Sequence, residues 1–453
     1  MLKIKKKKVA IIGLGFVGLP LALAISSAKQ RGRLLFDVIG IEQSNEDGLM
    51  KINSINEAKL FFKTEDKSLK KLLNHHVNVK KNFFATDNLD YVEKADVTII
   101  TISCHLVNKF NYKKDYKKYI DDVFKIISRL KKNSNLIIES TLLPGTIKKY
   151  FEKFIQNKIK NSKFKKNSIN LVYSYERVMP GKNYINSITN NWRVVSGINN
   201  KSFTFGKNFY SKIIDTKKYP IYRLTCAEAE VSKILENSYR AANIAFINEW
   251  QKLCKILNIN LFNIIEAIKV RPTHNNIRYP GFGVGGYCLT KDPLYGKIAL
   301  QLLNKKKIKF PISELSMSIN KKMPLDTYEI LKNKFERKIK GKKILLMGYS
   351  YKEDVGDIRY SPSITLFEKI TKENKITICD PYLEKKGIIV NNIQNYKNFD
   401  AIIFLVRHSK FKKISFRKKL RKKTIIIDSN NVLTLQQIND IKANSNEILF
   451  IGK

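Results

Sequence analysis

Short aliphatic and β-branched runs alternate with amphipathic stretches through the first half of the chain: Val9 to Ile12, Phe36 to Ile41, Val97 to Ile102, Leu136 to Glu139, Asn170 to Tyr173 and Arg193 to Val195. Runs of strand length separated by helix-length segments predict a parallel, doubly wound α/β sheet. Near Thr225 the pattern changes. From Glu228 to Leu257 the apolar residues Val231, Ile234, Leu235, Ala241, Ile244, Ala245, Ile247 and Leu253 keep helical spacing, and a second helical stretch follows from Leu261 to Val270. Met323-Pro324 reads as the break of a preceding helix, and strand-like runs then return at Lys343 to Met347, Ile376 to Cys379, Ala401 to Val406 and Thr424 to Ile427. The expected fold is α/β, with two doubly wound domains flanking a helical middle region, divided at 1–215, 216–325 and 326–453.

A chain of 453 residues, 43% of them hydrophobic, is long enough for two or three cores. Its 85 Lys and Arg against 39 Asp and Glu give a formal charge of +46, which raises nucleic acid, an anionic membrane or an acidic substrate as partners. The basic residues are spread along the whole chain, mostly as Lys beside abundant Asn and Ile, with no long basic tail. That pattern reads as compositional drift at exposed positions, and neither nucleic acid nor membrane is the expected partner. A basic nucleic-acid-binding protein on the same scaffold is the competing class. The five cysteines, Cys104, Cys226, Cys254, Cys288 and Cys379, are odd in number and lack metal-type spacing, so neither a disulfide framework nor a metal site is expected. A reducing, cytoplasmic setting fits. Lys3 to Lys8 followed by Val9 to Ile25 imitates a signal peptide, but glycines at fixed offsets inside the run argue for another use. No other segment approaches the ~20 apolar residues of a membrane span.

The strand-like Lys8 to Ile12 runs directly into GLGFVG, Gly13 to Gly18, and then a helical stretch, Leu19 to Ile25. Such glycines let the backbone turn tightly and approach a pyrophosphate, and the helix start supplies amide donors. Gly13, Gly15, Phe16, Val17 and Gly18 are the expected cofactor loop. Glu42 ends the second strand, where a carboxylate would bond the ribose hydroxyls and repel a 2′-phosphate, favouring NAD over NADP.

Cys288 lies in GVGGYCLTKDP, with Gly281, Gly283, Gly285 and Gly286 before it and Lys291-Asp292 after it. Glycines leave the backbone free to wrap a ligand, so this thiol is a candidate nucleophile rather than a buried structural cysteine. Together with GLGFVGLPLA, ESTLLPGT (139–146), YERVMPGK (175–182), EAEVSKILENSYRAANIAFINE (228–249), PGFGVGGYCLTKDP (280–293), INKKMP (319–324), GYSYKEDVGDIRYSP (348–362) and CDPYL (379–383), in this order, the chain resembles the UDP-glucose/UDP-N-acetylmannosamine dehydrogenase family over nearly its whole length.

The resemblance implies two Rossmann-like domains, the first binding NAD and the last a UDP-sugar, joined by a helical dimerisation region. It implies oxidation of a sugar 6-hydroxyl to the acid in two hydride transfers, through a thiohemiacetal and a thioester on Cys288. A thiolate is needed, so positive charge is expected near Cys288. By resemblance, Lys233 and Asn237 stabilise the oxyanion. Asp292 acts with a water as general base, and Thr141 and Glu176 hold that water and the reacting hydroxyl. Ser103, Thr141, Lys291 and Arg359 are expected at the cofactor. Arg177, Lys233, Asn237, Arg240, Tyr279, Gly285, Gly286 and Lys352 are expected at the substrate.

The chain departs from the family pattern in three places. Tyr175 stands where many relatives have Pro, Pro180 replaces a second glutamate of glucose-type relatives, and Ser103-Cys104-His105-Leu106 replaces a TP turn. His105 reads as an ordinary loop histidine. Arg240 in ENSYR, and RVMPGK after Glu176, look like the branch acting on N-acetylated amino sugars, whereas Lys291 also occurs in glucose enzymes. UDP-N-acetylglucosamine or UDP-N-acetylmannosamine is the expected substrate, UDP-glucose the alternative. A homodimer is expected. Retention of Lys233, Asn237, Cys288 and Asp292 argues against a catalytically silent homologue, and a two-electron dehydrogenase stopping at the aldehyde would not need Cys288.

Overall fold

The computed structural model describes residues 5–104, 106, 112–160, 169–305 and 308–453. The chain forms two compact units: residues 1–61, 65–234 and 295–308 in the first, and 62–64, 235–294 and 309–453 in the second. His105 lies outside the described residues.

The first unit is built on strands β1 (Lys7–Ile12), β2 (Phe36–Ile41), β3 (Phe83–Thr86), β4 (Val97–Ile100), β5 (Asn135–Ile138), β6 (Asn170–Tyr173), β7 (Arg193–Gly197) and β8 (Ile221–Arg223). They lie in the order β3-β2-β1-β4-β5-β6-β7-β8. The first six are parallel, β7 runs antiparallel to β6, and β8 parallel to β7. The winding reverses between β1 and β4, so a crevice opens at the carboxyl ends of those strands. Val9 to Ile11 of β1 and Ile99 and Ile100 of β4 are fully buried, as strands covered on both faces require. β3 and β8, both at sheet edges, were not apparent from the hydrophobic pattern.

The second unit repeats the winding in a parallel sheet of β9 (Lys343–Met347), β10 (Lys375–Cys379), β11 (Ile389–Val390), β12 (Ala401–Phe404), β13 (Ile425–Asp428) and β14 (Ile448–Phe450). Their order is β11-β10-β9-β12-β13-β14. The chain is thus the expected α/β fold. Helix α1 (Gly18–Ser27) follows β1, α2 spans Cys226–Ile256, α3 spans Leu261–Lys269 and α4 spans Pro311–Lys334. The boundary between the units falls within α2.

One expectation fails. Met323-Pro324 does not end a helix: α4 continues through it to Lys334. An internal proline costs about 3 kcal/mol, because it lacks an N–H and crowds the carbonyl four residues back. Met323, Pro324 and Thr327 are all buried, and Asn320, whose carbonyl loses its partner, donates its side-chain amide to the Ala241 carbonyl at 3.0 Å. Burial of this face outweighs the lost bond.

Candidate active site

At the crevice of the first unit, Gly13 follows β1 with φ +93°, the left-handed region that favours glycine. A Cβ on Gly18 would sit 1.8 Å from the Gly13 carbonyl oxygen, so the loop closes onto the start of α1 only with glycine there. A Cβ on Gly15 would meet nothing within 4 Å, which leaves the loop's outer side open. Thr101 Oγ1 donates to the Gly13 carbonyl at 2.7 Å, and Glu42 Oε2 accepts the Leu14 N–H at 2.9 Å. Val17, at the N-cap, offers no side-chain bond; in the first turn of α1 the Leu19 N–H bonds the Gly15 carbonyl at 3.2 Å and Pro20 has no N–H to offer. The Phe16 carbonyl accepts a bond from the Tyr184 hydroxyl. An open glycine turn at the start of a helix and a carboxylate at the end of β2 fit a dinucleotide. Ser103, after β4, is exposed, and Thr141, after β5, is half-buried.

Also in the first unit, Glu176 follows β6 and is buried. Its Oε1 accepts the Arg177 N–H at 2.6 Å, its Oε2 meets Arg193 Nη1 at 3.0 Å, and its carbonyl accepts from Lys233 Nζ at 2.8 Å. Lys233 is buried as well, so it is not a solvated helix lysine. Tyr175, in the place of the family's proline, is buried with Lys233 Nζ 5.5 Å and the Arg177 guanidinium 5.3 Å from its ring centre. Its hydroxyl accepts from Arg177 Nη2 at 3.0 Å and from Ser232 Oγ at 2.9 Å. An aromatic face between two cations stabilises both. Glu230, one turn before Lys233 on α2, accepts the N–H groups of Gly145 at 2.6 Å and Ile147 at 2.8 Å. Burial pushes its carboxyl up to about 7, against the pull of these backbone bonds.

In the second unit Cys288 is exposed. Its carbonyl accepts from the Lys291 N–H at 3.2 Å and the Asp292 N–H at 2.9 Å, a tight turn that brings Asp292 back beneath the thiol's own residue. Asp292 is fully buried, with Oδ2 accepting from Asn237 Nδ2 and Oδ1 from Lys291 Nζ, each at 2.6 Å. Burial works against the Lys291 charge, but Asp292, Cys288 and Tyr287 outweigh it and hold its pKa above the ordinary value. Arg240 is held below its ordinary value by burial of the guanidinium and by Arg278, although Glu353, Tyr351 and Cys288 act the other way. Lys352 is likewise lowered by burial, with Arg240 adding to the effect. A thiol facing Lys291 and Arg240, beside a cluster of mutually repelling cations, is a setting for an anionic ligand.

The glycines before Cys288 press against neighbouring segments of the same unit. A Cβ on Gly285 would come within 2.8 Å of Tyr351, Tyr360 and Pro362, and one on Gly286, at φ +81°, within 2.6 Å of the Tyr351 ring. The Gly286 N–H bonds the Arg359 carbonyl at 3.0 Å, and the Arg359 side chain is held by Asp357 at 2.6 Å. The structure therefore brings Asn237, Arg240, Gly285, Gly286, Cys288, Lys291, Asp292, Lys352 and Arg359 into one region. Tyr279 contacts α3 instead, through Lys269 Nζ at 2.7 Å, Glu266 and the ring of Phe262.

Residues 7–214 match the NAD binding domain of the UDP-glucose/GDP-mannose dehydrogenase family, 227–322 its central domain and 345–435 its UDP binding domain. The chain belongs to this family. It is an NAD-dependent nucleotide-sugar dehydrogenase, and NAD is its cofactor. The UDP-N-acetyl-D-mannosamine dehydrogenase of Methanocaldococcus jannaschii is 32% identical over 448 residues, 96% of this chain and 95% of that one. That of Methanococcus vannielii is 30% identical over 95% of this chain and 94% of its own. The structure of the UDP-N-acetyl-mannosamine dehydrogenase of Staphylococcus aureus matches with a TM-score of 0.77 at 26% identity, over 98% of each chain. Sequence reasoning missed Glu139, Arg193 and Tyr210 around Glu176. Glu139 lay inside a motif already singled out, but nothing in the sequence pointed to its partners.

Proposed function

We propose that this dehydrogenase oxidises the 6-hydroxyl of a UDP-N-acetylhexosamine, UDP-N-acetylglucosamine or UDP-N-acetylmannosamine, to the carboxylate with Cys288 as covalent nucleophile. The observation that carries the reading is the exposed Cys288 thiol held above a buried Asp292 that is tied to both Asn237 and Lys291. When bound, NAD accepts a hydride at each of the two oxidation stages. Once C6 is at the aldehyde level, the Cys288 sulfur adds to it, and the resulting oxyanion needs the donors that Asn237 and Lys233 supply. Oxidation of that adduct leaves a thioester, and water, deprotonated through Asp292, opens it to release the acid and return the thiolate. Glu176 and Thr141 hold the reacting hydroxyl and the water. Ser103, Lys291 and Arg359 face the cofactor side, and Arg177, Arg240 and Lys352 the substrate. The amino-sugar assignment is supported by the names of the relatives.

The functional division is into 1–215, 216–325 and 326–453, and the assembly is a homodimer working in the cytoplasm. In support, α2 exposes Leu235, Phe246, Trp250, Leu253 and Ile256, a large apolar surface for one chain. Among the described residues no helix is long and apolar enough to cross a membrane. The test is NADH production with UDP-N-acetylmannosamine, UDP-N-acetylglucosamine and UDP-glucose side by side. Two NADH per amino sugar are expected; turnover of UDP-glucose alone overturns the sugar assignment, and one NADH per sugar overturns the four-electron scheme.

A further inference from the structure

In the second unit, parallel strands set three carboxyl ends side by side. β9 lies between β10 and β12, so the loop leaving β9 meets Asp380, directly after β10, and His408, shortly after β12. Both side chains are fully buried. Asp380 Oδ2 accepts the N–H groups of Tyr349 and Ser350, each at 2.8 Å, the Ser350 hydroxyl at 2.9 Å and His408 Nε2 at 3.2 Å. On its other side, His408 Nδ1 faces the Asp354 N–H at 3.0 Å. A backbone N–H can only donate, so Nδ1 is bare and the imidazole proton sits on Nε2, aimed at Asp380. The rings of Tyr382 and Phe411 flank the imidazole, with centres 4.9 and 5.2 Å away, and hold it in this orientation.

Asp354 has φ +60°, the left-handed region that a side chain seldom adopts, and such a backbone persists only where its surroundings fix it. Its Oδ1 accepts the Ser409 N–H at 2.7 Å, the Ser409 hydroxyl at 2.9 Å and the Tyr382 hydroxyl at 3.1 Å. The loop is thus gripped twice, at Tyr349-Ser350 by Asp380 and at Asp354 by the segment after β12. Between the two grips lie Tyr351, onto whose ring Gly286 closes, and Lys352. We propose that His408 is a positioning residue for Lys352: with its proton on Nε2 it ties Asp380 to Asp354 and so holds the turn that presents Lys352 to the UDP-sugar. This rests on the reading of Lys352 as a group that binds the substrate.

The two nitrogens can be tested apart, because asparagine at this position can keep an acceptor in the place of Nδ1 and glutamine a donor in the place of Nε2. His408→Gln should raise KM for UDP-N-acetylmannosamine about tenfold, the scale of one buried donor left without a partner, with kcat and KM for NAD within about twofold. His408→Asn should return KM to near the wild-type value. Hydrogen–deuterium exchange of residues 349–355 gives a readout independent of turnover: faster in His408→Gln, slow in His408→Asn. Equal KM and equal exchange in the two variants overturn the proposal. If His408→Gln fails to fold, Ser409→Ala carries the test. It removes one bond to Asp354, so exchange of the same residues should quicken and KM rise about threefold; no change in either overturns the proposal. Lys352→Met separates this inference from the reading beneath it. An unmoved KM there removes Lys352 from the substrate site, and the functional reading of that residue falls while exchange still decides the clamp. A raised KM there, with His408→Gln at the wild-type value, fells the positioning role alone.

Discussion

Cys288 is exposed and Asp292 wholly buried four residues later, so one tight turn supplies both an accessible sulfur and a sequestered carboxylate. Cys288→Ser should stop the reaction before release of the acid, with NADH yield per sugar falling below two and product analysis showing no uronate. Lys291→Met should leave Asp292 with Asn237 as its remaining side-chain partner. Breaking a buried ion pair by removing one member costs about 3–5 kcal/mol, so a marked fall in urea midpoint is expected. Lys291, Asp292, Asn237 and Cys288 were legible because each stands at a fixed place in an ordered motif. Arg193 and Tyr210 were not: their bonds to Glu176 and Glu139 span 17 and 71 residues, and no local spacing announces such partners. Tyr175, legible only as a departure, proves to be an aromatic surface between Lys233 and Arg177.

At the scale of elements, the segment before Cys288 shows why its glycines are there. At Gly286 a side chain would need a left-handed backbone and would strike the Tyr351 ring. Gly286→Ala should cost about 3 kcal/mol from these two effects together, measured by denaturant titration. Glu230 makes a second element-level prediction. Its folded pKa is raised by burial from 4.5 to about 7, so its contribution to stability is full below about pH 4.5 and is lost as pH rises through about 7. The stability of the wild type relative to Glu230→Gln, which cannot ionise, should therefore decline by about 3 kcal/mol between pH 4.5 and pH 8. The long central strands and α2 were readable from periodicity, within a few residues at their ends. The strands at Phe83–Thr86, Ile221–Arg223, Ile389–Val390 and Ile448–Phe450 were not, because two to four residues carry too little pattern. Pro324 misled because propensity is local, whereas the burial that keeps α4 continuous comes from residues far away in sequence.

For the whole molecule, the formal charge of +46 is spread rather than concentrated. Retention on DNA at low salt is expected to vanish near physiological ionic strength, as a few loose phosphate contacts would. Trp250→Glu together with Leu253→Glu on α2 should convert a dimer to a monomer in sedimentation velocity. Unchanged mass would show that this apolar surface is not the dimer contact. The first turns of α2 carry a different kind of consequence. Glu230 grips the backbone of Gly145 and Ile147, while Lys233, on the same helix face, grips the carbonyl of Glu176. Two stretches far apart in sequence are thereby fastened to a single turn of helix, and the three can be inherited only as a set. In a library of chimaeras with a relative, crossovers between residues 147 and 230 would mismatch the fastening, and the surviving recombinants should have their joints outside that interval.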